Sequence, residues 1–154
     1  HQAKVYATLF RLTGDREMAL DLTQDAFLRA WERLAGFEGR SAFSTWLYRI
    51  AVRLAFDALD GERRRGDVDV SLVVDTAPGP DATFESSRVA EDLGRRVDAL
   101  PRMQRAVVVL RSYRELPYRE IAEILETSEN SARVTFHTAI RRLRAGYLKE
   151  ASAR

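Results

Sequence analysis

Within eleven residues the chain sets Ser131, Arg133, Val134, Thr135, His137, Thr138 and Arg141. Hydroxyls, guanidinium groups and an imidazole at such density can donate to phosphate oxygens and base edges, and they are the side chains by which proteins hold and read nucleic acid. A second group lies upstream: Phe37, Phe43, Trp46 and Tyr48 fall within twelve residues, interleaved with Arg40, Arg49 and Arg53. Rings stack on unpaired bases while arginines hold phosphates, so this pattern suits a single strand, although most of these rings are expected in a packed core. Bond-breaking chemistry has little to work with. Cysteine is absent, His1 and His137 are the only histidines, and there is no phosphate loop, dinucleotide fingerprint or paired ligand motif. No catalytic residue, metal site or cofactor is expected.

A helix must carry the first group. Ala132, Phe136, Ile140 and Leu143 follow i, i+4, i+8, i+11, an apolar stripe opposite a polar, basic face. Ser128 is placed to cap that helix. A shorter helix precedes it, with Pro117 at its start and Ile121, Ala122 and Leu125 on one side, and Glu126-Thr127-Ser128 makes the break. The pair reads as a helix-turn-helix whose second helix fits the DNA major groove, or as a plain helical hairpin.

The strand-binding group belongs to a helix starting near Phe43, with Leu47, Ile50 and Val52, that runs to about Gly61 or Arg65 and closes on Arg63-Arg64-Arg65. Before it, Val5 to Leu12 have helical spacing and Thr13-Gly14-Asp15 stops them. A longer helix follows over 16–36, in which Ala19, Leu22, Ala26, Ala30 and Leu34, with Phe27 and Trp31, face the core. Its other face carries Asp21, Gln24, Asp25, Arg29, Glu32 and Arg33, for which solvent is the simplest partner. Later, Val89, Leu93, Val97 and Leu100 repeat at helical spacing, Pro101 opens a helix through Met103, Val107, Val108 and Leu110, and residues 145–154 are expected to fray.

The net charge of +2 is unevenly spread. Residues 1–66 hold 11 basic and 9 acidic side chains, 67–100 hold 3 and 8, and 101–154 hold 11 and 6. Basic ends around an acidic middle suggest two surfaces that meet polyanions. Residues 67–87 have five acids, no bases and Pro78-Gly79-Pro80, the composition of a flexible linker. The expected fold is therefore all-α: two small helical domains, 1–66 and 88–150, joined by an acidic linker. No run approaches the roughly 20 apolar residues of a membrane span, and the start lacks signal-peptide character, so a soluble cytoplasmic protein without membrane insertion is expected.

In order and spacing, these stretches resemble bacterial sigma factors of the extracytoplasmic-function (ECF, group 4) type of the sigma-70 family. Asp21 to Trp31 looks like region 2.2, Phe37 to Leu59 like regions 2.3 and 2.4, LPRMQRAVVVLR like region 4.1 and Pro117 to Arg144 like region 4.2. The resemblance implies a transcription initiation factor, not an enzyme, that binds core RNA polymerase and directs it to promoters. Asp21, Gln24, Asp25 and Arg29 would dock on the β′ clamp, in place of solvent. Phe43 with the preceding loop, including Arg40, and the helix bearing Trp46, Arg49, Arg53 and Asp57 would capture the separated −10 strand, where flipping a base costs a few kcal/mol of stacking. Ser131, Arg133, Val134, Thr135, His137, Thr138 and Arg141 would read the −35 element, and the helix from Pro101 would help seat the second domain on the β flap. An anti-sigma factor is implied as regulator.

Five positions depart from the family pattern. Glu126 stands where glycine is usual in the turn, and a left-handed non-glycine residue costs about 1 kcal/mol. Thr135 and Thr138 replace basic side chains, and Val52-Arg53 replaces Arg-Asn. The chain also starts within the first helix, so further residues are expected before it. The alternative function is a sigma-like mimic that sequesters an anti-sigma factor without binding promoters. A dimeric helix-turn-helix repressor is disfavoured by the region 2 resemblance.

Overall fold

The structure, a computed structural model, describes residues 1–65 and 84–153. Among these residues there are seven α-helices and no strand. Helix α1 (Gln2–Thr13) ends at Gly14, whose φ of 70° lets its amide turn back to Phe10 O at 2.8 Å, the stop expected of Thr13-Gly14-Asp15. The Asp15 carboxylate accepts the Met18 amide at 3.1 Å and so caps α2 (Arg16–Arg33), which tightens into a 3-10 turn at Leu34–Gly36. Helix α3 (Phe43–Arg65) is the longest of the first half.

Helix α4 (Phe84–Asp98) begins inside the stretch expected to be linker, since nothing after Pro80 forbids a helix. The linker reading otherwise lies outside the described residues. Pro101 precedes α5 (Arg102–Val108), which widens into a π turn, Val109–Tyr113, where the Arg114 amide reaches Val109 O at 3.2 Å. Pro117 likewise precedes α6 (Tyr118–Leu125). Helix α7 (Glu129–Ala153) follows a tight turn and does not fray at Ala145. Its last turns are tied to α4 by an ion pair between Arg96 and Glu150, with the Arg96 guanidinium 5.8 Å from the Tyr147 ring centre.

Val5, Leu9 and Leu12 of α1 pack with Ala19, Leu22 and Ala26 of α2 and with Leu47, Ala51 and Ala55 of α3. Val107 to Leu110, Ile121, Ile124, Ala132 and Ala139 make the corresponding interior of the second half. The two interiors are continuous: α3 packs along α6, and α1 packs against α5 and the π turn. Apolar periodicity reveals each helix's buried side but not this mutual packing. It also misplaces two residues of α2, because Trp31 (78% exposed) and Leu34 lie at the surface, and Val89 and Leu93 of α4 are exposed as well.

Candidate nucleic-acid and polymerase interfaces

At the turn between α6 and α7, Glu126 adopts the left-handed conformation (φ 55°, ψ 47°) that the turn demands. Two residues on, the Ser128 hydroxyl accepts the Ser131 amide at 3.0 Å and starts α7. Ala132 and Ala139 are fully buried, which fixes the opposite face outward. Asn130, Val134, His137 and Arg141 follow i, i+4, i+7, i+11 along the centre of that outer face, and all four are exposed. Ser131 and Thr138 flank them in the open, whereas Thr135 is half-buried. Arg133 is exposed but turned toward α6, its guanidinium 5.1 Å from the Tyr118 ring centre, which also carries Arg111 at 4.4 Å. Asn130 was not among the residues singled out by sequence. Its place in the first turn after the Ser128 cap, where an amide can pair with adenine, is the signal that was there to read.

Of the four aromatics near α3, Tyr48 enters the core and the other three form an open cluster. Phe37 lies 5.9 Å from Phe43 and 5.0 Å from Trp46 between ring centres, and Phe43 lies 5.7 Å from Trp46. Beside this cluster, Arg29 and Arg33 of α2 and Arg49 and Arg53 of α3 surround a cleft of about 250 Å³ floored by Trp46, Ile50 and Leu54. Four guanidinium groups around an aromatic floor suit phosphates and a stacked base. Arg29 thus belongs to this cleft, a quarter-turn from Asp21, Gln24 and Asp25, and Arg33 joins it unanticipated. Arg40 sits at the approach in an exposed pair with Glu38 at 2.8 Å, and Asp57 is exposed two turns beyond Arg49 on α3.

The remaining face of α2 has a different character. Asp21, Gln24, Asp25 and Glu32 surround Leu28, which is 61% exposed, with Leu20 and Trp31 open beside it. Gln24, Phe27, Leu28 and Trp31, with Gln2 and Thr23, line a concavity of about 390 Å³. An apolar centre with a polar rim is the composition of a protein-binding patch. Sequence periodicity put Trp31 in the core because an apolar residue near the edge of the buried stripe looks the same as one inside it.

Charged groups stitch the two halves together. Arg105 on α5 donates to Leu12 O of α1 at 2.8 Å and to Asp98 O of α4, so one side chain satisfies carbonyls at the ends of two helices. Burial raises the pKa of the Asp98 carboxyl, opposed by Arg105 and then Arg11, and burial lowers that of Arg105. Arg11 stacks 3.7 Å from the Tyr113 ring centre, and Arg102 pairs with Asp60 and lies 4.6 Å from that of Phe56. Across the α3–α6 seam, Glu126 Oε1 accepts Arg49 Nη2 at 2.8 Å and Nε at 3.1 Å, with Arg53 Nη1 at 3.5 Å. The hydrogen bond from Arg49, and next the charge of Arg53, hold the Glu126 carboxyl below its ordinary pKa.

A capped helix with a polar outer face, set after a tight turn in an all-α chain, makes this a helix-turn-helix protein with a second, arginine-rich surface in its first half. The family model described as Sigma-70 region 2 matches residues 1–65, and that described as Sigma-70, region 4, matches residues 90–143. The RNA polymerase sigma factor YlaC of Bacillus subtilis is 34% identical over 85% of this chain and 78% of its own length. The ECF RNA polymerase sigma factor SigW of the same organism is 30% identical over 94% of this chain and 83% of its own. SigE of Mycolicibacterium smegmatis is 32% identical over 99% of this chain, which spans 60% of SigE's length. Among solved structures, the sigma factor RpoE of Bartonella quintana, in complex with the anti-sigma factor NepR, superposes with a TM-score of 0.78 over 94% of this chain and 89% of that one at 21% identity, a likeness of fold. The chain belongs to the sigma-70 family of RNA polymerase sigma factors, in its ECF branch.

Proposed function

We propose that the chain acts as a promoter-specificity subunit, with α7 reading the −35 element, the arginine cleft of α2 and α3 holding the −10 strand, and the Leu28 patch docking on the β′ clamp of core polymerase. The observation that carries this reading is the cleft itself: four arginines around Trp46, in the half of the chain matched to region 2, on a different surface from the outer face of α7. The chain itself would perform no catalysis. Its place of work is the cytoplasm, and the α5 segment would help seat the second half on the β flap. An anti-sigma factor is the expected regulator; the Bartonella protein of like fold is in complex with one, NepR. The mimic reading rests on Thr135 and Thr138, whereas the arginine cleft, suited to phosphates and a stacked base, favours the promoter reading.

Geometry adds a requirement. Elements at −35 and −10 lie 25 base pairs apart by their labels, about 85 Å of duplex at about 3.4 Å per pair. A packed chain of 154 residues has a radius of gyration of about 15 Å. Both elements can be engaged only when the halves separate, and the backbone from Arg65 to Phe84 can reach about 65 Å when extended. Removing Arg141, at the centre of the outer face, should weaken binding of the reconstituted holoenzyme to its promoter about tenfold (roughly 1.4 kcal/mol) in an electrophoretic shift assay. Unchanged binding by Arg141→Ala would contradict the assignment of α7.

A further inference from the structure

We infer that Glu126 serves as an internal stand-in for a DNA phosphate, occupying Arg49 and Arg53 and holding the −10 cleft closed against the chain's own helix-turn-helix. This rests on the −10 reading given above. Glu126 is the acid whose carboxylate reaches across the seam, taking two hydrogen bonds from Arg49 and lying 3.5 Å from Arg53. That is the way a phosphate oxygen is held by a guanidinium fork. The backbone aims it there: the left-handed conformation at the end of α6 turns the side chain at 126 out of the helix and toward α3. A space of about 430 Å³ separates α6 from the strand-binding side of α3, walled by Arg40, Trp46 and Arg49 on one side and by Ala122, Glu123 and Glu126 on the other. An incoming strand therefore meets α6 before it meets the whole cleft, and its phosphates compete with Glu126 for the same arginines.

The latch is soft. The three side chains are 41% to 67% exposed, and an exposed ion pair shifts an equilibrium by only about two- to fivefold. Such a device lowers the free protein's capture of stray single strands by that factor, and it yields once polymerase separates the halves. Glycine at position 126 would satisfy the turn more cheaply, so the glutamate has a backbone cost for which the latch supplies a reason.

The test uses the full chain and a fluorescein-labelled single-stranded DNA of mixed sequence, followed by fluorescence anisotropy at low salt. Glu126→Gln should tighten binding about three- to fivefold, and Glu126→Gly should do the same while relieving the turn. Glu120→Gln changes the net charge equally on the same helix, away from the walls of the space between α6 and α3, and should leave binding within about 1.5-fold. On an Arg49→Ala/Arg53→Ala background, itself weaker than the parent, Glu126→Gln should add nothing beyond that margin. Equal effects of the 120 and 126 substitutions, or none at 126 while the arginine variant weakens binding, would overturn the latch and leave the −10 reading standing. Strand binding that ignores Arg49 and Arg53 would overturn the −10 reading and the latch with it.

Discussion

A Leu28→Glu variant should fold as the parent does and bind core RNA polymerase at least thirtyfold more weakly. Leu28 is exposed, so its replacement leaves no cavity and disturbs no buried partner. In a complex it sits at the middle of a patch rimmed by Asp21, Gln24, Asp25 and Glu32. Covering a leucine side chain there contributes roughly 2 kcal/mol, which is thirtyfold, and central residues of such patches dominate binding. Glutamate forfeits that contribution and adds a charge to be desolvated among acids already present. Equilibrium titration of labelled protein with core polymerase measures the loss, and thermal unfolding checks that the fold is intact. Trp31→Ala should weaken binding in the same direction. An unaltered affinity in both variants would mean that the patch faces something other than polymerase.

Arg105→Ala should lower stability by about 2–3 kcal/mol, because two part-buried helix-end carbonyls lose a charged donor at once. Leu12 O and Asp98 O lie in opposite halves of the chain, so the loss loosens the seam as well as the helices. Lysine carries the charge but lacks the planar fork, and Arg105→Lys should recover less than half of the loss. The effect should depend on pH. Asp98 has a raised folded pKa, so its contribution to stability is full below the unfolded carboxyl's pKa, near 4, and is lost as pH rises through the folded value. Without Arg105 that carboxylate loses its strongest opposing charge, and urea unfolding should show a larger deficit at pH 7 than near pH 4. Equal deficits at both would remove Asp98 from the explanation.

Much of this was legible in the sequence because it depends on local chemistry. Ser128 caps α7, Gly14 ends α1, and Pro101 and Pro117 stand just before helices, each for reasons contained within a few residues. The outward face of α7 follows from its apolar stripe, of which Ala132 is buried and Phe136, Ile140 and Leu143 are half-buried, and the family resemblance suggested roles for α2 and α3. What escaped depends on contacts distant in sequence. Trp31 and Leu34 look like core by periodicity, and only the packing of α1 and α3 around α2 shows that no neighbour covers them. Arg29 was grouped with Asp21, Gln24 and Asp25 as one polar face, whereas the helical turn carries it round to Arg49 and Arg53. Glu126 looked like a mild fault in a turn. Its bond to an arginine 77 residues earlier gives it a different meaning.

Run-off transcription tests the central claim most directly: core polymerase, free of other sigma factors, on a mixed library of bacterial promoter fragments, with and without the chain. The expected result is initiation at discrete start sites that appear only when the chain is added, preceded by shared sequences near −35 and −10. Transcripts identical in the two reactions, or none despite a stable complex with core polymerase, would contradict it.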